Sequence, residues 1–305
     1  MSDDAGATQG GCVRTGVDAA MLDLPRSSYG THARFAFGGV AFTVLAAREV
    51  RWQLPAECER LVSDVAAVPA IAQVICEVEL DAALPDGPPR IISTEQGAAS
   101  THVSSEEFRV ELIPIGPGRY RARARIAKTA AGALVLGLAA AINERQGGLS
   151  LHAAAIELDD RAVLFIGPSG AGKSTAVLLA RGAAVFAYDR VAVSCQDGRY
   201  RAWSLPGGMQ VAASHSARRE LPLGAIYRIR QAHDRPQIKP LTAASALFAL
   251  RESTQVTDTS ELAEQRRLDV AQALLARVPV AELHTVLGSS HVALLQQRGE
   301  QHALV

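Results

Sequence analysis

Between Gly167 and Ser174 the chain reads GPSGAGKS, which satisfies GxxxxGK[ST] at every fixed position. Glycines in this pattern let a backbone wrap closely around phosphate groups with its amide hydrogens turned inward. A Cβ at Gly172 would obstruct that approach. In such a loop Lys173 reaches β- and γ-phosphate oxygens, and the Ser174 hydroxyl suits Mg²⁺. The candidate nucleotide-binding set is therefore Gly167, Pro168, Ser169, Gly170, Ala171, Gly172, Lys173, Ser174 and Thr175. Asp189 follows sixteen residues after the lysine, directly behind Tyr188. A carboxylate at the carboxyl end of a strand faces the same crevice as the phosphate loop, so Ser174 and Asp189 are the candidate metal ligands. His152, at the start of a strand, is either a structural histidine or a group that neutralises a phosphate or orients Asp189. Arg190 points to the opposite side if the strand continues through it.

Positioning these groups requires a strand on either side of the loop. Leu149–Ala155 reads as a strand, Leu158–Arg161 as its turn and Ala162–Ile166 as the next strand. Ser174–Arg181 reads as a two-turn helix closed by Gly182, whose N-terminus adds partial positive charge. Ala183–Ala187 is a strand again, and the connection just meets the length needed between parallel neighbours. Helices are expected over Thr129–Arg145, Leu241–Arg251, Glu261–Ala276 and Ser289–Gln297, with a strand over Pro279–Val286. The apolar run Ala130–Ile142 falls short of the roughly 20 residues needed to span a bilayer, which favours a buried helix.

Upstream, Phe35–Ala47 around Gly38-Gly39 reads as paired strands, Ala70–Leu80 as a strand, and Leu84–Arg90 as a loop. Phe108–Ile115 and Tyr120–Ala127 form a second hairpin, in which Arg121, Arg123 and Arg125 share one face. That face is either wet and crossed by acidic neighbours or a docking surface for an acidic peptide or phosphate. The stretch Ser216–Lys239 is basic, either a solvated surface or a grip on anions.

The composition bounds the rest. Across 305 residues, 48% are hydrophobic and 20% charged, and the formal net charge is zero. This is the balance of a soluble globular protein and gives no reason to expect nucleic-acid binding. The four cysteines, Cys12, Cys58, Cys76 and Cys195, are scattered without a CxxC pair, which disfavours disulfide scaffolding and structural zinc. The acidic, glycine-rich opening MSDDAGATQGG is unlike a secretion signal, so a cytoplasmic setting without membrane insertion is expected. Long transporter-ATPase signatures and guanine-reading NKxD sequences are not found.

Three elements in order, Leu151-His152-Ala153, GPSGAGKS and RGAAVFAYDRV over Arg181–Val191, resemble the HPr serine kinase family and its kinase-like relatives. The SLPGG segment Ser204–Gly208 and the following LPLGAIYRI are similar to relatives encoded with peptide-modifying systems. The resemblance implies an α/β fold: a P-loop kinase domain of HPr-kinase-like type with an N-terminal sheet-rich α+β domain. The chain's own patterning divides it into a mobile polar tail over 1–30, a sheet-rich domain over 31–128 and a nucleotide domain over 129–305. The resemblance further implies ATP- and Mg²⁺-dependent transfer to a hydroxyl, that of a serine in a peptide or small protein, with Asp189, His152 and Lys173 catalytic, and a homo-oligomer. The sequence departs from that family where Tyr188 replaces the first aspartate of its pair, the proton-accepting base. A phenol, with a reference pKa of about 10, is a poor base at neutral pH. A nucleotide-binding regulatory or scaffold protein lacking efficient kinase activity is the main alternative, and a small-metabolite kinase the third.

Overall fold

A computed structural model of the chain describes residues 29–50, 52, 54, 72–85, 93–96, 100–205, 219–256 and 258–303. The tail expected over 1–30, apart from its last two residues, lies outside them. So do Cys12, Cys58, most of the Leu84–Arg90 loop, the Pro206–Gly208 part of SLPGG, and Ser216–Arg218 of the basic stretch.

The first sheet has seven strands in the order β1-β2-β3-β7-β6-β5-β4. These are β1 (Tyr29–Phe37), β2 (Val40–Ala47), β3 (Ala72–Leu80), β4 (Ser93–Gln96), β5 (Thr101–Ser104), β6 (Phe108–Gly116) and β7 (Arg119–Ile126). The β1–β2 hairpin turns on Gly38 and Gly39, both at positive φ (59° and 81°), the conformation a tight two-residue turn demands. Strict alternation in β7 turns Tyr120, Ala122, Ala124 and Ile126 into the core and Arg119, Arg121, Arg123 and Arg125 away from it. Helix α1 (Ala131–Arg145) packs on the inner face. Its other side meets Ala192, Trp203 and Leu205, so nearly all its residues are buried. This is why the run is apolar all round rather than striped. Full burial of Leu134, Leu138 and Ile142 contributes roughly 1.5–3 kcal/mol each. The helix stops at Gly147, at φ 77°, and Gly148 lies against Asn143 so closely that a Cβ would come within 2.2 Å of its Oδ1. Among the described residues no helix is long and apolar enough to cross a membrane.

The second sheet has eight strands: β8 (Leu149–Leu158), β9 (Arg161–Ile166), β10 (Ala184–Ala187), β11 (Arg190–Gln196), β12 (Arg199–Leu205), β13 (Glu220–Gln231), β14 (Gln237–Pro240) and β15 (Val280–Thr285). Strand β8 is antiparallel to β9 along its second half, while β10 and β11 pair with it antiparallel in tandem. The connection from β9 to β10 therefore does not join hydrogen-bonded parallel neighbours, as the sequence reading expected, because β8 lies between them. Strand β13 is the long member, pairing with β12 at its start and in parallel with β9 and β15 further on.

Alternation divides the apolar residues of this sheet between two cores. Leu149, Leu151, Leu164 and Ile166 face helices α3 (Ala243–Ser253) and α4 (Glu261–Leu275). Ala154, Ile156, Phe165 and Ile229 face helices α2 (Lys173–Leu179) and α5 (Val292–Ala303). Thr242 and Ser260 start α3 and α4 by accepting backbone hydrogen bonds from Ser245 and Ala263. The result is a mixed α/β architecture.

Candidate functional site

The glycine loop joins the end of β9 to α2. Gly167, Gly170 and Gly172 take φ values of 143°, 78° and 97°, backbone states in which a side chain is strained. Lys173 opens α2 and turns its ammonium back into the loop. Nζ donates to the carbonyls of Gly167 at 2.8 Å and Pro168 at 3.1 Å. The residue is 7% exposed. Burial lowers its pKa, while nearby Asp189 pulls it back upward. Ser174 and Thr175 are exposed. The end of β13 backs the loop: Gln231 Nε2 donates to the Gly170 carbonyl at 3.5 Å, and the Ile229 side chain lies near Gly172. Sequence reasoning missed Ile229 and Gln231 because it took their segment for a basic stretch rather than a strand.

Asp189 lies in the break between β10 and β11. Its carbonyl accepts a hydrogen bond from Ala153 N at 3.0 Å, and Arg190 is in register with His152 on β8. Since Ala153 also pairs with Ile166, the last residue of β9, this register brings Asp189 to the loop's end of the sheet. His152 Nε2 is 3.4 Å from Asp189 Oδ1, and Arg190 Nε is 3.4 Å from Asp189 Oδ2. Arg190 therefore turns toward Asp189, not away from it, because the break interrupts strand alternation. The pKa of His152 is lowered, first by burial and then by Lys173, against the opposing pull of Asp189; Arg190 lowers it further. A neutral imidazole makes its contact with Asp189 a polar one, and Arg190 is the carboxylate's cationic partner. Lys173, His152, Asp189 and Arg190 thus form one cluster, with two cations, one carboxylate and a neutral ring.

Tyr188 points the other way. It is 7% exposed and packs with Ala154, Ile156, Val177 and other members of the core beneath α2. Burial raises the phenol's pKa, so it stays protonated at neutral pH and accepts no proton there. Among the described residues no group of three or more His, Cys, Asp or Glu side chains is placed to hold a metal ion. A narrow cleft beside Glu144 and Arg267 and a wider groove on the first sheet contain neither Lys173 nor Asp189.

The family model described as SynChlorMet cassette protein ScmC matches residues 133–289, a span that includes the glycine loop, His152 and Asp189. No curated protein matches the chain. Among solved structures it is similar to the Hpr(Ser) kinase/phosphatase from Coxiella burnetii, with 12% identity, 51% of this chain and 90% of that chain covered, and a TM-score of 0.30. A likeness that low does not establish a shared fold.

These findings correct the sequence reading. The family is ScmC and not the HPr serine kinase family, so that resemblance and the HPr-kinase-type P-loop fold drawn from it are withdrawn in favour of a mixed α/β architecture. ATP- and Mg²⁺-dependent transfer to serine, the peptide-kinase activity and the small-metabolite kinase go with them. The matching family is not a recognised kinase family.

Proposed function

This chain belongs to the SynChlorMet cassette protein ScmC family, and on that premise we propose that it is a nucleotide-binding regulatory or scaffold protein without kinase activity. One observation carries the reading: Arg190 pairs with the Asp189 carboxylate, whose charge also acts on the loop's lysine, while the residue beside that carboxylate is a buried, protonated tyrosine. Net positive charge at a glycine loop favours an anion with several oxygens, and a nucleoside triphosphate such as ATP is the natural ligand. Mg²⁺ would arrive with the nucleotide. A lone carboxylate suits that case, since Mg²⁺ takes one or two carboxylates together with phosphates and water. Ser174 and Asp189 are the residues that would hold it. Lys173 would leave the Gly167 and Pro168 carbonyls for phosphate oxygens, and Arg190 would neutralise further charge.

In this role the nucleotide is a ligand whose occupancy is sensed, and the first sheet supplies the surface for a peptide or small protein of the same cassette. A cytoplasmic setting provides the nucleotide and keeps Cys76 and Cys195, which are free, as thiols. Calorimetric titration of the full chain with ATP, with and without Mg²⁺, tests the reading beside a radiolabelled-ATP transfer screen. Binding without any labelled acceptor is expected, and Lys173→Met should weaken binding by at least about tenfold through loss of a charge-assisted contact. Failure to bind nucleotide, or a labelled acceptor, would refute it.

A further inference from the structure

The outward residues of β3, β7, β6 and β5 line a groove of about 690 Å³ on the side of the first sheet away from α1. The charges on this face are unevenly satisfied. Arg121 and Arg123 share Glu77, at 3.6 Å and 3.8 Å. Arg109 on β6 stands directly opposite Arg125 on β7, two like charges facing across adjacent strands. Both are exposed, and among the described residues neither forms an ion pair. Such a pair is locally repulsive. A carboxylate placed between the two guanidinium groups would turn the repulsion into charge-assisted, bidentate hydrogen bonds.

The same groove contains Glu77, Glu79 and Glu111, with Glu79 in register with Arg125 and Glu111 in register with Arg123. These carboxylates repel a polyanion, which disfavours nucleic acid or polyphosphate. The groove is also too large for one inorganic anion. Its signs alternate, with the two opposed arginines toward one end and carboxylates beside them, a pattern that a polypeptide of mixed charge can complement.

We propose that this face is a docking groove for an extended peptide segment that sets an acidic side chain over Arg109 and Arg125 and a basic one against Glu79 and Glu111. The inference names the chemistry of the partner invoked above but stands on different residues, so nucleotide binding and peptide docking succeed or fail separately. The test is a displayed library of random short peptides selected on the full chain without nucleotide, followed by fluorescence anisotropy of the enriched sequences. Enriched peptides should carry Asp or Glu with a nearby Lys or Arg. Arg109→Gln with Arg125→Gln should weaken them at least about tenfold. Arg119→Gln, on the same strand but outside the groove, should leave binding unchanged. Both groove arginines are exposed, so the double variant should retain the wild-type thermal midpoint, separating lost docking from lost fold. Enrichment of peptides without acidic residues, equal binding to the double variant, or a preference for duplex DNA or polyphosphate over peptide would overturn the proposal.

Discussion

Replacing His291 by Phe tests how the last helix is held. His291 stands just before α5, is 1% exposed, and sets its ring at right angles to Phe165, with centroids 5.6 Å apart. Neither ring nitrogen has a hydrogen-bond partner. Burial pulls the pKa from 6.5 down to about 4. In the unfolded chain the imidazole takes up a proton below its ordinary value, whereas in the fold it resists until about pH 4. The stability associated with the neutral ring is therefore complete above the unfolded value, drains away as pH falls through this window, and levels off below it. At about pH 5 the group is roughly 1.5 units below its unfolded pKa, which at ~1.4 kcal/mol per unit costs about 2 kcal/mol.

Phenylalanine keeps the aromatic edge and deletes both unpartnered nitrogens. Urea unfolding of the two proteins at about pH 7.5 and about pH 5 reads the effect. The wild type should lose about 2 kcal/mol more than His291→Phe across that interval, and the variant should be the more stable at the higher pH by about 1 kcal/mol. Comparing the two proteins cancels every other titrating group that the substitution leaves undisturbed. Parallel pH profiles would refute the account, since they would mean that the ring is solvated or paired.

Three further substitutions probe the framework. Gly39→Ala places a Cβ 3.0 Å from Trp203 Cε2 at a positive φ, and should destabilise by about 2–4 kcal/mol in denaturant unfolding. Arg267→Met removes the buried cation that Glu144 meets at 2.5 Å and Glu264 at 3.0 Å where α1 meets α4, and breaking this buried pair should cost about 3–5 kcal/mol in the same assay. Tyr188→Asp puts a carboxylate into the apolar core beneath α2. It should lower stability by several kcal/mol and create no phosphate transfer, measured by thermal unfolding and labelled ATP.

The elements that were legible in the sequence have strong local signals. The arginine alternation of β7 required only period two, and the α1 segment, rich in Ala and Leu and closed by Gly147-Gly148, read as a buried helix because it is strongly apolar yet too short to span a bilayer. Strand β13 escaped because its arginines drew the eye. Yet Leu221 and Leu223, then Tyr227 and Ile229, alternate in the manner of a strand, with register shifting between Leu223 and Ala225. At the site, spacing put Lys173 and Asp189 in reach of one another but turned Arg190 the opposite way. Its direction depends on the break between β10 and β11, a tertiary feature set by how both strands share β8. The family assignment failed for a related reason: the three short motifs between Leu151 and Val191 are local, whereas the family match extends over 133–289.

Asp189 also shows why a glycine loop with a nearby carboxylate does not by itself amount to phosphoryl-transfer machinery. A general base must offer an available lone pair to the incoming hydroxyl. Here the Asp189 carboxylate lies 3.4 Å from both Arg190 Nε and His152 Nε2, which orients it toward its neighbours without exhausting its lone pairs, while the adjacent tyrosine is committed to the core. Asp189 is better suited to fixing a guanidinium and an imidazole beside the loop, so that both are in place before an anion arrives. Pre-placed Lys173 and Arg190 lower the ordering cost of binding an anion, which suits the proposed nucleotide-binding role, and Tyr188 adds no proton acceptor beside them.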